Sequence, residues 1–129
     1  RHSAKEDLFK NKSVIVFDCN EISEALAIRL LSQLGTQHLV VHTTEEAVGE
    51  LNGQSHDALF IALEPLRGEG PQHVREIRKS YPTIPIIGLA IDPNSVEAQA
   101  CLRSGLNDVL EGPLDKEKLV RMIRTWCSD

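Results

Sequence analysis

REIRKSYPTIPIIGLA, Arg75 to Ala90, carries one period of the pattern that decides the fold. Its first half ends a helix, because the residue before a proline is pushed out of the helical region and the helix must stop before Tyr81 and Pro82. Its second half runs into IPIIGLAI, Ile84 to Ile91, which is almost continuously apolar, as a strand covered on both faces has to be. VIVF (Val14 to Phe17) and ALFIAL (Ala58 to Leu63) have the same character. From residue 13 onward such runs alternate five times with stretches of helical periodicity, and that alternation is parallel βαβ construction.

Strands are predicted at Ser13 to Asp18, His38 to His42, Asp57 to Leu63, Ile84 to Ile91 and Asp108 to Leu110, the second and fifth being weaker and suited to edges. The first helix is predicted over Glu21 to Leu34, with Ile22, Leu26, Leu30 and Leu34 facing inward and Gly35 taking the left-handed position after its end. Thr43 with Glu46 forms a capping box for the second helix and Gly53 closes it. Pro71 opens the third, Asn94 with Glu97 caps the fourth, and Gly105 ends the fourth. The last starts near Asp115 and turns Leu119, Met122, Ile123 and Trp126 inward.

No repeat or internal linker interrupts this pattern, so residues 13–129 are predicted to be one domain, preceded by a linker or appended remnant over residues 1–12. The fold class is α/β, a three-layer, doubly wound (βα)5 unit around a parallel five-stranded sheet. Alternation leaves the strand order open. The common solution is 2-1-3-4-5, as in flavodoxin-like folds, and it puts ligands outside the carboxyl ends of the first and third strands. Here that edge holds Asp18, Cys19 and Ala62, with Ala90 and Gly112 nearby.

The 129 residues suffice for one core, and with 41% hydrophobic but only 4% aromatic residues that core is aliphatic. A formal charge of −5 gives no electrostatic footprint for nucleic acid or for an anionic membrane. No apolar run approaches the roughly 20 residues of a membrane span. Cys19, Cys101 and Cys127 fit neither a disulfide framework nor a zinc spacing, which points to a reducing, cytoplasmic setting.

VIVFDCNE, Val14 to Glu21, resembles the first strand and acidic turn of two-component receiver domains, the domains of response regulators and hybrid sensor kinases. REIRKSYPTIPIIGLA and CLRSGLNDVLEGPLDKEKL, Cys101 to Leu119, resemble the same family's third helix with fourth strand and its closing segment. The resemblance implies transfer of a phosphoryl group from a histidine kinase onto an aspartate at the end of the third strand, helped by Mg²⁺, a hydroxyl and a lysine. By position the phosphoacceptor falls on Ala62, the acidic pair on Asp18 and Cys19, and the switch hydroxyl on Ala90. The reporting aromatic falls on Val109 and the lysine on Gly112.

The resemblance therefore implies a pseudo-receiver, a phosphorylation site reduced to scaffold, with no catalytic residue, metal or cofactor. Its expected role is that of an interaction module, with kinase or phosphotransfer domains as partners and hybrid sensor histidine kinases as the expected parent. Family practice implies partner contacts on the first helix, residues 21–34. Output or homodimer contacts are implied on the fourth helix, fifth strand and fifth helix, residues 94–126. Alternatives are a stand-alone adaptor or transcription-regulator domain, and a small-ligand sensor using the emptied crevice.

Other candidates have plainer readings. Cys19 is read as a small buried hydrophobe filling a vacated acidic position, ahead of a redox thiol. Glu64 is read as solvated, ahead of a ligand role beside Asp18. His38 and His42 share a strand face but lack a carboxylate or thiolate partner, so solvent-facing edge histidines are expected. Lys118, Arg121 and Arg124 on the last helix, like Arg75, Arg78 and Lys79, are read as solvated charge. FDCNEIS after the first strand is no glycine-rich phosphate loop, which disfavours a nucleotide enzyme.

Overall fold

A computed structural model describes residues 9–127. Residues 1–8 and the last two lie outside the described residues, and with them most of the expected leading segment. The strands are β1 (Ser13–Phe17), β2 (Gln37–Val41), β3 (Ala58–Ala62), β4 (Ile86–Ala90) and β5 (Asp108–Glu111). Between and after them run α1 (Glu21–Leu34), α2 (Thr44–Gly53), α3 (Gly70–Ser80), α4 (Val96–Ser104) and α5 (Lys116–Cys127), with a 3₁₀ turn at Glu64–Leu66. All four strand pairings are parallel and the order is β2-β1-β3-β4-β5, the arrangement expected from the sequence.

Every residue of β3 is buried, as are four of five in both β1 and β4, so the central sheet needs apolar cover on both faces. The alternation of side chains along each strand divides that cover. Ile15 and Phe17 of β1, with Leu59 and Ile61 of β3, join Ala47 of α2, Val74 and Ile77 of α3, and Ala98 and Cys101 of α4. Val14 and Val16, with Ala58 and Phe60, join Ala27, Leu30 and Leu31 of α1 and Leu119, Met122 and Ile123 of α5. Two cores thus flank the sheet.

The second core also holds Phe9, 1% exposed, and Lys12 is buried with its carbonyl accepting from the Gln37 amide at 3.0 Å. The packed body therefore reaches back into the stretch that the sequence reading set apart, because the helices on this face leave an apolar gap that Phe9 fills.

Helix boundaries follow local chemistry. Asn20 caps α1 by accepting from the Ile22 and Ser23 amides, and Gly35 at φ 75° closes it, donating to the Leu31 and Ser32 carbonyls. Ser95, not Asn94, caps α4 through the Ala98 amide, because Asn94 is drawn into a turn in which its amide donates to Asp92. Thr43 caps α2 as expected, but Glu46 returns to the amide of His42 at 2.7 Å, one residue before the cap. Ile22 departs from the predicted inward stripe: it is 83% exposed, and the buried face of α1 is Ala27, Leu30 and Leu31. The first turn projects past the end of β1, where no sheet remains to cover it.

At the amino-terminal edge of the sheet, Arg78 of α3 is not a solvated charge. Its guanidinium donates to the carbonyls of Gly105, Tyr81 and Ile84 and to Asn107 Oδ1, at 2.6–3.1 Å. Asn107 Oδ1 also accepts from the Ile86 amide at 2.8 Å, so one cation ties α3 to the starts of β4 and β5. Gly88 permits the close layer above it, since a Cβ there would meet Leu106 Cδ1 at 2.8 Å. Arg78→Ala strands several carbonyls at once. It should lower stability by about 3 kcal/mol in urea unfolding, with Arg78→Lys recovering only part.

Candidate functional site

The carboxyl ends of β3, β4 and β5 and the start of α1 open on a cleft of about 480 Å³. Asn20, Ile22, Ser23 and Leu26 of the α1 entry form one wall, and Ala62, Leu89 and Ala90 line the cleft at the ends of β3 and β4. Glu64, Pro65, Ile91 and the segment Glu111, Gly112, Pro113 and Leu114 complete it, with a cis Gly112–Pro113 bond. No lysine, arginine or histidine is among the lining residues. A larger open depression of about 900 Å³ follows the outer face of α5, past Asp115 and Arg121, away from the strand ends.

Of the positions singled out in the sequence, Ala62, Ala90 and Gly112 line this cleft, with the Gly112 amide donating to the Ala90 carbonyl at 2.8 Å. Asp18, Cys19 and Val109 do not line it. Asp18 follows β1 and is fully buried. Its Oδ1 accepts from the Asn20 amide at 2.9 Å and its Oδ2 from the Ser23 hydroxyl at 2.6 Å. Both oxygens are thus spent inside its own turn. Burial raises its pKa above the ordinary 3.8; the bonds from Ser23 and Asn20 pull the other way, Glu24 adds to the rise and His42 opposes it.

Cys19 is exposed, contrary to the sequence reading, because it points away from the cleft and its Sγ donates to the His42 carbonyl at 3.3 Å. Its pKa is raised, first by desolvation and then by Asp18, Glu24 and Glu46, so the thiol stays protonated and weakly nucleophilic. His42 does have a carboxylate partner: its Nε2 lies 2.7 Å from Glu24 Oε1. That hydrogen bond raises the imidazole pKa above 6.5, with Glu46 and Asp18 assisting. Its stabilising effect is complete below the unfolded-state value and fades as pH rises through the folded one. His38 sits half-buried, Nδ1 on the Thr36 carbonyl at 3.1 Å. Among the described residues no group of three or more His, Cys, Asp or Glu side chains is placed to hold a metal ion.

Two contacts at the cleft mouth have no sequence signature. Glu64 is exposed, as the sequence led one to expect, and its Oε2 accepts from the Ile91 amide at 2.9 Å, which joins the loops after β3 and β4. Lys118 places its ammonium on the Glu111 and Pro113 carbonyls, at 2.9 and 3.2 Å, and fixes the loop after β5. Periodicity could not have found either, since each pairs a side chain with backbone brought near only by the sheet order.

Residues 14–124 match the response regulator receiver domain family. The chain belongs to that family. Its relatives include the CAI-1 autoinducer sensor kinase/phosphatase CqsS of Vibrio cholerae, 29% identical over 119 residues, covering 89% of this chain and 17% of that protein. An uncharacterised 14.6 kDa protein from Leptolyngbya boryana is 30% identical over 117 residues, covering 88% of both chains. Among solved structures, the receiver domain of the sensor histidine kinase PA1611 from Pseudomonas aeruginosa superposes with a TM-score of 0.80 at 24% identity, over 90% of this chain and 97% of that one. The chain thus spans under a fifth of the sensor kinase CqsS, yet most of the length of the single-domain relative. It is a receiver domain of the two-component phosphorelay class, homologous to the receivers of hybrid kinases.

Two outcomes test this geometry. Asp18→Asn keeps acceptor and donor atoms for Asn20 and Ser23 while removing a charge that burial disfavours. It should raise the melting temperature at pH 7 by roughly 2–5 °C, and the gain should vanish in acid, where the wild-type carboxyl is already neutral. Glu64→Ala frees the Ile91 amide, and its hydrogen exchange measured by NMR should quicken by about fivefold, the worth of one ordinary hydrogen bond.

Proposed function

We propose that this receiver domain is a pseudo-receiver: it takes no phosphoryl group and acts as a regulatory interaction module in phosphorelay signalling, within a hybrid sensor histidine kinase. The observation that carries this is Ala62, whose methyl group stands at the carboxyl end of β3 on the cleft, where receiver chemistry calls for a carboxylate nucleophile. The neighbouring slots agree. Asp18 is the one acid of the expected pair and is occupied by Asn20 and Ser23, Cys19 faces away, Ala90 has no hydroxyl and Gly112 no cation. A phosphoryl transition state in this cleft would find neither a metal cage nor a balancing positive charge.

The domain is accordingly no enzyme in itself, and its work is done by surfaces. The relatives that are sensor kinases, CqsS, RcsC of Salmonella typhi and SLN1 of Saccharomyces cerevisiae, support a kinase parent, with this chain matching 17%, 12% and 10% of them. A receiver domain of Ssk1 is known bound to the phosphotransfer protein Ypd1, with a TM-score of 0.74 to this chain, which supports phosphotransfer or kinase domains as partners. A cytoplasmic setting follows from that role. The stand-alone adaptor is the second reading, favoured by the relative from Leptolyngbya boryana, of which the match covers 88%.

Incubation with Mg²⁺ and acetyl phosphate should leave the intact mass unchanged, and Ala62→Asp should not restore a stable acyl phosphate on its own. A covalent phosphoryl adduct on the wild-type domain would overturn the proposal.

A further inference from the structure

A site that loses its ionic chemistry still leaves a space, and the chemistry of its walls decides what enters. The cleft's volume of about 480 Å³ falls within the range of roughly 300–1,000 Å³ typical of small-molecule sites. Leu26, Ala62, Leu89 and Leu114 make its lining mainly apolar. Ile22 and Ile91, 83% and 74% exposed, stand at its mouth, an arrangement of large apolar side chains that water does not favour.

The charges at the cleft are of one sign. Glu64 and Glu111 line it, and no basic residue does. Glu64 already serves the Ile91 amide. Glu111 is exposed, and its carboxylate has no hydrogen-bond or ion-pair partner among the described residues. Lys118, on the helix that follows, reaches the backbone carbonyls of Glu111 and Pro113 and not the carboxylate. An apolar recess with one free carboxylate at its edge selects a particular kind of molecule.

We propose that the cleft at the carboxyl edge of the sheet binds a small amphiphile with an apolar body and a cationic head, the body resting on Leu26, Ala62, Leu89 and Leu114 and the head meeting Glu111. This goes beyond the regulatory reading and is separable from it, since a phosphorylation-silent domain that bound nothing would overturn this proposal alone.

The test uses n-octylammonium, n-octanol and octanoate as probes in NMR titrations of the ¹⁵N-labelled domain. Saturable shifts are expected at the amides of Ala62, Leu89 to Ile91 and Glu111 to Leu114, in the affinity order octylammonium, octanol, octanoate. Glu111→Gln should weaken octylammonium roughly two- to fivefold, the scale of an exposed charge pair, and leave octanol unchanged. Ile22→Lys, a substitution at an exposed position that the fold tolerates, should act in the same direction by adding a cation at the mouth. Absence of saturable shifts at these amides, or shifts centred elsewhere, would overturn the site. Equal binding of all three probes, indifferent to Glu111, would overturn the cationic assignment and leave an apolar socket suited to a partner protein's side chain.

Discussion

The backbone of a parallel sheet covered on both faces can satisfy its hydrogen bonds only within the sheet, and that constraint organises this molecule. β1, β3 and β4 lie at its centre and, past Ser13 at the start of β1, carry no polar side chains, so two aliphatic cores close over them. Polar chemistry is thereby displaced to the two edges where strands end. At the amino-terminal edge a single guanidinium collects loose carbonyls. At the carboxyl edge the loops converge on a cleft.

Electrostatics at that carboxyl edge is unusual in what it leaves unopposed. Clustered carboxylates in a desolvated site repel one another unless a cation offsets them. Here Asp18 is buried, and its own turn occupies both carboxylate oxygens with hydrogen bonds. Other acids nearby each hold one local contact: Glu24 holds His42, Glu46 holds the His42 amide, and Glu64 holds the Ile91 amide. The acids near this edge are held in fixed local bonds.

The sequence made the scaffold readable because burial writes itself into periodicity. The bounds of α1 and the left-handed Gly35 follow from apolar spacing and turn chemistry, and the strand order taken as the common solution for this alternation brings Ala62, Ala90 and Gly112 to one edge. What stayed hidden depends on where an element ends relative to the layer below it. Ile22 has helical spacing with Leu26 but overhangs β1, and Cys19 adjoins Asp18 but points to the opposite side. Asn94 and Ser95 are equally good caps on paper, and the turn with Asp92 decides between them. The bonds made by Arg78, Lys118 and the exposed Glu64 stayed hidden because they run largely to backbone groups, which a residue pattern does not display.

The Arg78 and Asn107 knot lies at the opposite edge of the sheet from the cleft. The fastening of α3, β4 and β5 is therefore separate from the residues that would carry chemistry, and selection can act on the two independently. Side chains that line the cleft can change without loosening the frame, which stays in place as a durable surface for recognition.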